Sequence, residues 1–120
     1  MLSRIVHEAG YVRAELFDRR TPEETRGFLD SILASATAHD CPRVLISVKS
    51  SAPLFKVEQY GLSKYFKALG GNRSYKVALV SDSDGTYASH QYIEFLARQH
   101  EARVKSFRND APALAWLLED

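Results

Sequence analysis

The sequence predicts one α/β domain in which a mixed, mostly parallel sheet of about five strands packs against helices. Short apolar runs alternate along the chain with stretches of helical periodicity, as in parallel strands joined by crossover helices. Two runs, RVLISV at 43–48 and YKVALV at 75–80, are nearly all apolar, which is typical of central strands covered on both faces. The predicted order is ββαβαβαβα, and 120 residues suit a single domain spanning 1–120.

The first eighteen residues predict a β-hairpin. Ser3 to Glu8 form a short strand, Ala9-Gly10 form the turn, and Tyr11 to Asp18 alternate between apolar and polar side chains. The hairpin makes the first strand antiparallel to the second. The two strands RVLISV and YKVALV are expected to be parallel neighbours.

The first helix begins at Thr21, whose hydroxyl can cap it, with Glu24 completing a capping box. It ends at the turn 39–42, because a proline disfavours helical geometry in the residue before it. The second helix covers about Lys56 to Leu69, the third about Thr86 to Glu101, and a last short helix starts with Asp110 as its cap. A mixed strand at 103–107 is expected at a sheet edge.

The order of these patterns resembles that of a STAS/SpoIIAA-like domain, a bacterial class that includes anti-sigma-factor antagonists. The hairpin, RVLISV, YKVALV and the ending VKSFRNDAPALAWL at 104–117 carry the resemblance. It implies a regulatory domain that meets a protein partner around its second helix. Antagonists carry a phosphorylatable serine in an Asp-Ser-Ser-Gly type turn before that helix, whereas this chain has KSSAP at 49–53. The acidic residue and the glycine are absent, so the chain fits better the small stand-alone relatives.

Composition limits the classes of function that the chain can have. A net charge of +1 argues against a dedicated nucleic-acid binder, and no apolar run approaches the ~20 residues that span a bilayer. Nothing near Met1 resembles a signal peptide and Cys41 is the one cysteine, so a cytoplasmic location is expected. Cys41 precedes a strand rather than a helix, and no nucleophile, base and acid set is visible, so we expect no enzyme activity, cofactor or metal.

Two loops are candidates for a ligand or a phosphorylated serine, because ligands of open α/β sheets sit beyond the carboxyl ends of the strands. One loop holds Ser50 and Ser51, and the other holds Asp82 and Asp84. The alternative is that the two aspartates favour the turn and cap the third helix.

The third helix is predicted to turn an aromatic face towards the core. That face comprises Ala88, Tyr92, Phe95, Leu96 and Gln99. His90 and Glu94 then fall on the polar side, where their four-residue spacing is more simply a solvated face than a metal site.

The second helix offers a docking face. Phe66 belongs to its predicted core side, together with Phe55, Leu62 and Leu69. The opposite side carries Lys56, Val57, Tyr60, Lys64 and Lys67. From Arg43 to Ser81, seven basic residues stand against one acidic residue, which favours a partner with an acidic surface. Isolated exposed apolar residues are nevertheless common.

Two functions therefore stand side by side. The first is a non-catalytic regulatory or protein-interaction module that docks a protein partner, or a second copy of itself, through the second helix. The alternative is a carrier of a small apolar or amphipathic ligand between sheet and helices. Aromatic residues suited to line such a pocket are Phe55, Tyr65, Tyr87 and Phe107, although a core needs the same side chains.

Overall fold

The computed structural model describes residues 2–51, 64–67 and 75–119, and it confirms the α/β class. The elements are β1 (Leu2–Glu8), β2 (Tyr11–Phe17), α1 (Pro22–Ala38), β3 (Arg43–Lys49), α2 (helical residues 64–67), β4 (Lys76–Ser81), α3 (Asp84–Gln99), β5 (Arg103–Phe107) and α4 (Asp110–Leu117). Within this described part, no helix has the length and apolar character needed to cross a bilayer.

The five strands form one sheet in the order β1-β2-β3-β4-β5. β1 pairs antiparallel with β2, and every other pair is parallel. Val44 of β3 stands opposite Val77 of β4, which confirms that the two apolar runs are parallel neighbours. The mixed strand β5 lies at an edge, as expected.

The sheet order decides which face the helices cover. Each crossover leads to the next strand in the same direction, so right-handed connections put their helices on one face. Val44, Ile46 and Val48 point into that helical core, which Tyr65 and Phe66 of α2 join. Leu45 points the other way, where Ala113 and Leu117 of α4 cover it. β3 is therefore buried on both faces, which explains its continuous apolar run.

Local capping starts α1 as predicted. The Thr21 hydroxyl accepts a hydrogen bond from the Glu24 amide, and the Glu24 carboxylate accepts one from the Thr21 amide. A further bond from the Arg20 amide is the largest factor that lowers the pKa of Glu24 to about 2. The bond from the Glu24 amide satisfies a donor that the first turn of a helix leaves without a partner.

Two predicted caps are wrong. α3 is capped by Ser83, whose hydroxyl accepts from the Thr86 amide at 3.2 Å, and not by Asp82 or Asp84. α4 is preceded by Asn109 at the capping position, and Asp110 is its first residue. The Asp110 carboxylate accepts instead from the Arg13 guanidinium at 3.3 Å, so an ion pair with β2 replaces the cap.

The predicted orientation of α3 is also wrong. Tyr92 and Phe95 are 46% and 53% exposed. The buried residues are Thr86, Ser89, His90, Ile93 and Ala97. They recur three or four positions apart, so they form one stripe. The helix turns mostly small side chains towards β4 and β5, because aromatic rings there would hold it further from the sheet.

Candidate ligand-binding site

A cavity of about 100 Å³ lies between the helical face of the sheet and α1, α2 and α3. Its wall is mostly apolar, with Phe28 and Ile32 from α1, Ile46 and Leu79 from the central strands, and Ile93 from α3. We call it the central cavity. It is smaller than the ~300 Å³ at which pockets for drug-sized ligands begin. It approaches the ~150 Å³ of an apolar cavity that takes up benzene.

Three polar residues stand among the residues that surround the central cavity. Arg19, Thr25 and His90 line it, and they are only 4%, 5% and 2% exposed. Arg19 follows β2, Thr25 lies in the first turns of α1, and His90 lies in the second turn of α3. Because β2 and β4 are parallel, these helices start at the same edge of the sheet, where ligands of open α/β sheets bind.

Two polar atoms of these residues lack hydrogen-bond partners. In the part of the chain that the structure describes, Thr25 Oγ1 and His90 Nδ1 are buried without a hydrogen bond. A buried polar group without a partner costs about 1–3 kcal/mol of stability. Both atoms expose almost no surface, so they lie behind the apolar lining of the cavity.

The protonation state of His90 follows from its surroundings. Burial, followed by the positive charge of Arg19, lowers the pKa of His90 to about 4. The imidazole is therefore neutral at pH 7, with one ring nitrogen that donates and one that accepts.

The loops at this edge hold Arg19 in place. The Arg19 amide donates to Ser51 Oγ at 3.0 Å, and the Ser51 hydroxyl donates to the Lys49 carbonyl at 3.0 Å. The Ser50 amide donates to Asp82 Oδ2 at 3.0 Å. The structure thus brings Ser50 and Asp82 together, and it engages the Ser51 hydroxyl in a structural bond.

Asp84 is separated from this arrangement, because it pairs with Arg108. A groove of about 210 Å³ runs past Asp82 on the α4 side of the sheet. Lys49 and Arg108 line it together with Asp82 and Asp110, so its charges are mixed. It favours neither an anion nor a cation.

The predicted docking face is described only in part. Lys56, Val57 and Tyr60 lie outside the described residues. Lys64 and Lys67 are exposed on α2, and Lys64 Nζ lies 3.8 Å from Asp30 Oδ1. Phe66, expected on the core side of this helix, is buried.

The predicted pocket aromatics divide between the two faces of the sheet. Tyr65 lines the central cavity, and its hydroxyl donates to Asp30 Oδ1 at 2.6 Å. Burial and this bond raise the pKa of Tyr65 to about 12. Phe107 packs on Trp116 across the sheet, Tyr87 lies beneath the Arg108 guanidinium, and Phe55 is outside the described residues.

Sequence reasoning missed Arg19, Thr25 and His90. The available signal was the spacing of Thr86, His90 and Ile93, which fits a buried stripe if polar residues are allowed into it. His90 was instead expected on the polar side with Glu94. Glu94 accepts a hydrogen bond from the Ser106 amide at 2.7 Å, so His90 and Glu94 interact with different neighbours.

Comparison with protein-family models, curated proteins and solved structures finds no match to this chain. The resemblance to STAS/SpoIIAA-like domains therefore rests on the order of the sequence patterns. The five-stranded, mostly parallel sheet is compatible with that class.

Proposed function

We propose that this domain is a non-catalytic binding module that holds a small apolar or amphipathic ligand in the central cavity. The observation that carries the proposal is a cavity of about 100 Å³ with an almost wholly apolar lining, enclosed between the sheet and α1, α2 and α3. An apolar body would replace empty space along the wall.

The size of the cavity limits the ligand. By comparison with the ~150 Å³ that accepts benzene, about 100 Å³ accommodates roughly four to six non-hydrogen atoms. Affinity for so small a molecule is limited by its few contacts, so we expect a Kd of about 0.1–1 mM. Such an affinity suits a sensor or carrier of an abundant metabolite.

Binding of isobutanol and benzene, followed by NMR shifts of backbone amides, tests this proposal. We expect saturable shifts that centre on residues lining the central cavity. Ile46→Phe fills the cavity from the central strand and should abolish these shifts. The control Lys64→Glu changes the exposed side of α2 and should leave them intact. The absence of saturable binding of either probe to the unsubstituted chain would refute the proposal.

A regulatory protein-interaction module of STAS type is the second candidate. It is supported by the exposure of Lys64 and Lys67, two of the five positions that the sequence predicts for docking. A protein partner with an acidic surface, or a second copy of the chain, would bind there. Lys64→Glu should then slow association and make it less sensitive to salt. Tyr60→Ala should weaken binding by roughly 1–2 kcal/mol.

A further inference from the structure

We propose that the free edge of β1 pairs with β1 of a second copy of this chain, so that two sheets join into one across a two-fold axis. The pairing is antiparallel and places Arg4 of each copy opposite Glu8 of the other. Its basis is the position of β1 at the end of the sheet, the direction of its backbone groups and the order of its charges. The pairing is independent of any ligand in the central cavity.

Alternate residues of β1 turn their backbone groups away from the sheet. Glu8 stands opposite Tyr11 across a two-residue turn, and such a pair exchanges hydrogen bonds, as does every second pair after it. The Asp18 amide donates to the Lys49 carbonyl, so the even-numbered residues of β2 face β3 and the odd-numbered ones bond to β1. The amides that point outward from β1 are those of Ser3, Ile5 and His7.

The edge of β1 is not covered by any part of the chain that the structure describes. The amides of Ile5 and His7 donate no hydrogen bond there, and most of the strand is exposed. At the opposite edge of the sheet, the Ser106 amide of β5 donates to Glu94 Oε1 at 2.7 Å, so a side chain of α3 already satisfies an amide there. A strand edge that is left uncovered is a template for pairing with another chain.

Charge selects the register of the pairing. The hydrogen-bonding pattern permits only registers in which the outward-pointing residues of the two copies stand opposite each other. One of these places Arg4 opposite Arg4 of the second copy, which is destabilising. Placing Ile5 on the two-fold axis leaves both charges of each strand opposite apolar residues. Placing Val6 on the axis sets Arg4 opposite Glu8 twice, once on each side of the axis, and no other permitted register pairs these two residues.

The side chains of Arg4 and Glu8 are free to form these pairs. Arg4 is exposed and Glu8 is half-buried, and in the described part of the chain neither forms an ion pair. Glu15 stands opposite Arg4 on β2, yet no ion pair joins them. Val6 lies on the same face, and on the axis it would meet its own copy in a pair without hydrogen bonds, where side chains approach most closely.

Sedimentation equilibrium and amide hydrogen exchange over a range of concentrations test the proposal. An interface built on one seven-residue strand is small, so we expect a Kd of roughly 10–100 μM. The amides of Ile5 and His7 should exchange more slowly as the concentration rises, because each would donate across the new edge. A chain that is still monomeric at about 1 mM would overturn the proposal, as would a dimer in which these two amides exchange at an unchanged rate.

Charge reversal tests the register. Arg4→Glu and Glu8→Arg should each weaken dimerisation at least about tenfold, because each sets like charges opposite one another twice. An equimolar mixture of the two variants should associate about as tightly as the unsubstituted chain, since opposite charges then meet at both pairs. Unchanged association of the single variants, or failure of the mixture to associate, would overturn the register.

The matched control is Lys105→Glu, which changes the net charge by the same amount as Arg4→Glu but at an exposed position on β5. It should leave dimerisation unchanged, and a loss equal to that of Arg4→Glu would contradict a contact at β1. The exchange of the Ile5 and His7 amides needs no variant, so it decides the question even where a substitution prevents folding.

Discussion

Replacing His90 with glutamine should flatten the acid side of the stability profile. The pKa of His90 is about 4 in the folded chain and 6.5 as the unperturbed reference. Above pH 6.5 the residue is neutral in both states and contributes nothing to the pH dependence. Between pH 6.5 and pH 4 the unfolded state binds a proton that the folded state does not, so the free energy of unfolding falls as the pH falls.

The size of this effect follows from the two pKa values. A difference of 2.5 units corresponds to about 3.4 kcal/mol in full, of which about 3 kcal/mol is lost by pH 4. That loss is a large fraction of the roughly 5–15 kcal/mol that stabilises an ordinary domain. Glutamine does not titrate, so His90→Gln lacks this loss.

Urea unfolding followed by the fluorescence of Trp116, the one tryptophan, measures the effect at pH 7, 5.5 and 4. Carboxylates titrate in both proteins, so their contribution to the pH dependence cancels when the two stability profiles are compared. The control Thr86→Val lies one turn from His90 in the same helix, and it should shift stability by the same amount at each pH. Parallel profiles for His90→Gln and the unsubstituted chain would show that His90 is not held neutral.

Two further predictions concern the elements around the sheet, and the same unfolding assay at pH 7 checks both. Lys76 Nζ donates to the carbonyls of Trp116 and Glu119 at 2.6 and 3.0 Å, so Lys76→Met should cost about 2 kcal/mol by releasing the end of α4. Lys105→Met, on an exposed lysine over the Phe107 ring, should cost less than about 0.5 kcal/mol, and equal losses would contradict the role of Lys76. Phe66→Ala should cost about 3–5 kcal/mol as a core deletion, whereas Ala at the exposed Lys64 should be nearly neutral. A neutral Phe66→Ala would mean that α2 does not seal the core.

Local patterns were sufficient for most of the fold. The capping box of Thr21 and Glu24 depends on residues three apart, so it can be recognised without any knowledge of the tertiary structure. The run at 43–48 predicts a strand buried on both faces, because only such a strand tolerates apolar side chains pointing both ways. From the alternation of strands and helices, parallel pairing and its handedness follow as general rules.

The rotation of α3 was decided by the tertiary structure. The helical periodicity predicts the helix correctly, but the bulky Tyr92 and Phe95 suggest the wrong buried face. Periodicity reveals stripes along a helix, but the space above β4 and β5 selects the stripe of mostly small side chains that includes Ser89 and Ala97.

The candidate site was likewise beyond the reach of sequence patterns. Arg19, Thr25 and His90 come from a loop and two helices, and they are far apart along the chain. They surround one cavity because the two helices start at the same edge of a parallel sheet. Whether Thr25 Oγ1 and His90 Nδ1 have partners depends on which neighbours the packed fold places beside them. Whether a buried polar atom lacks a hydrogen-bond partner depends on the packed fold, so local sequence patterns cannot show it.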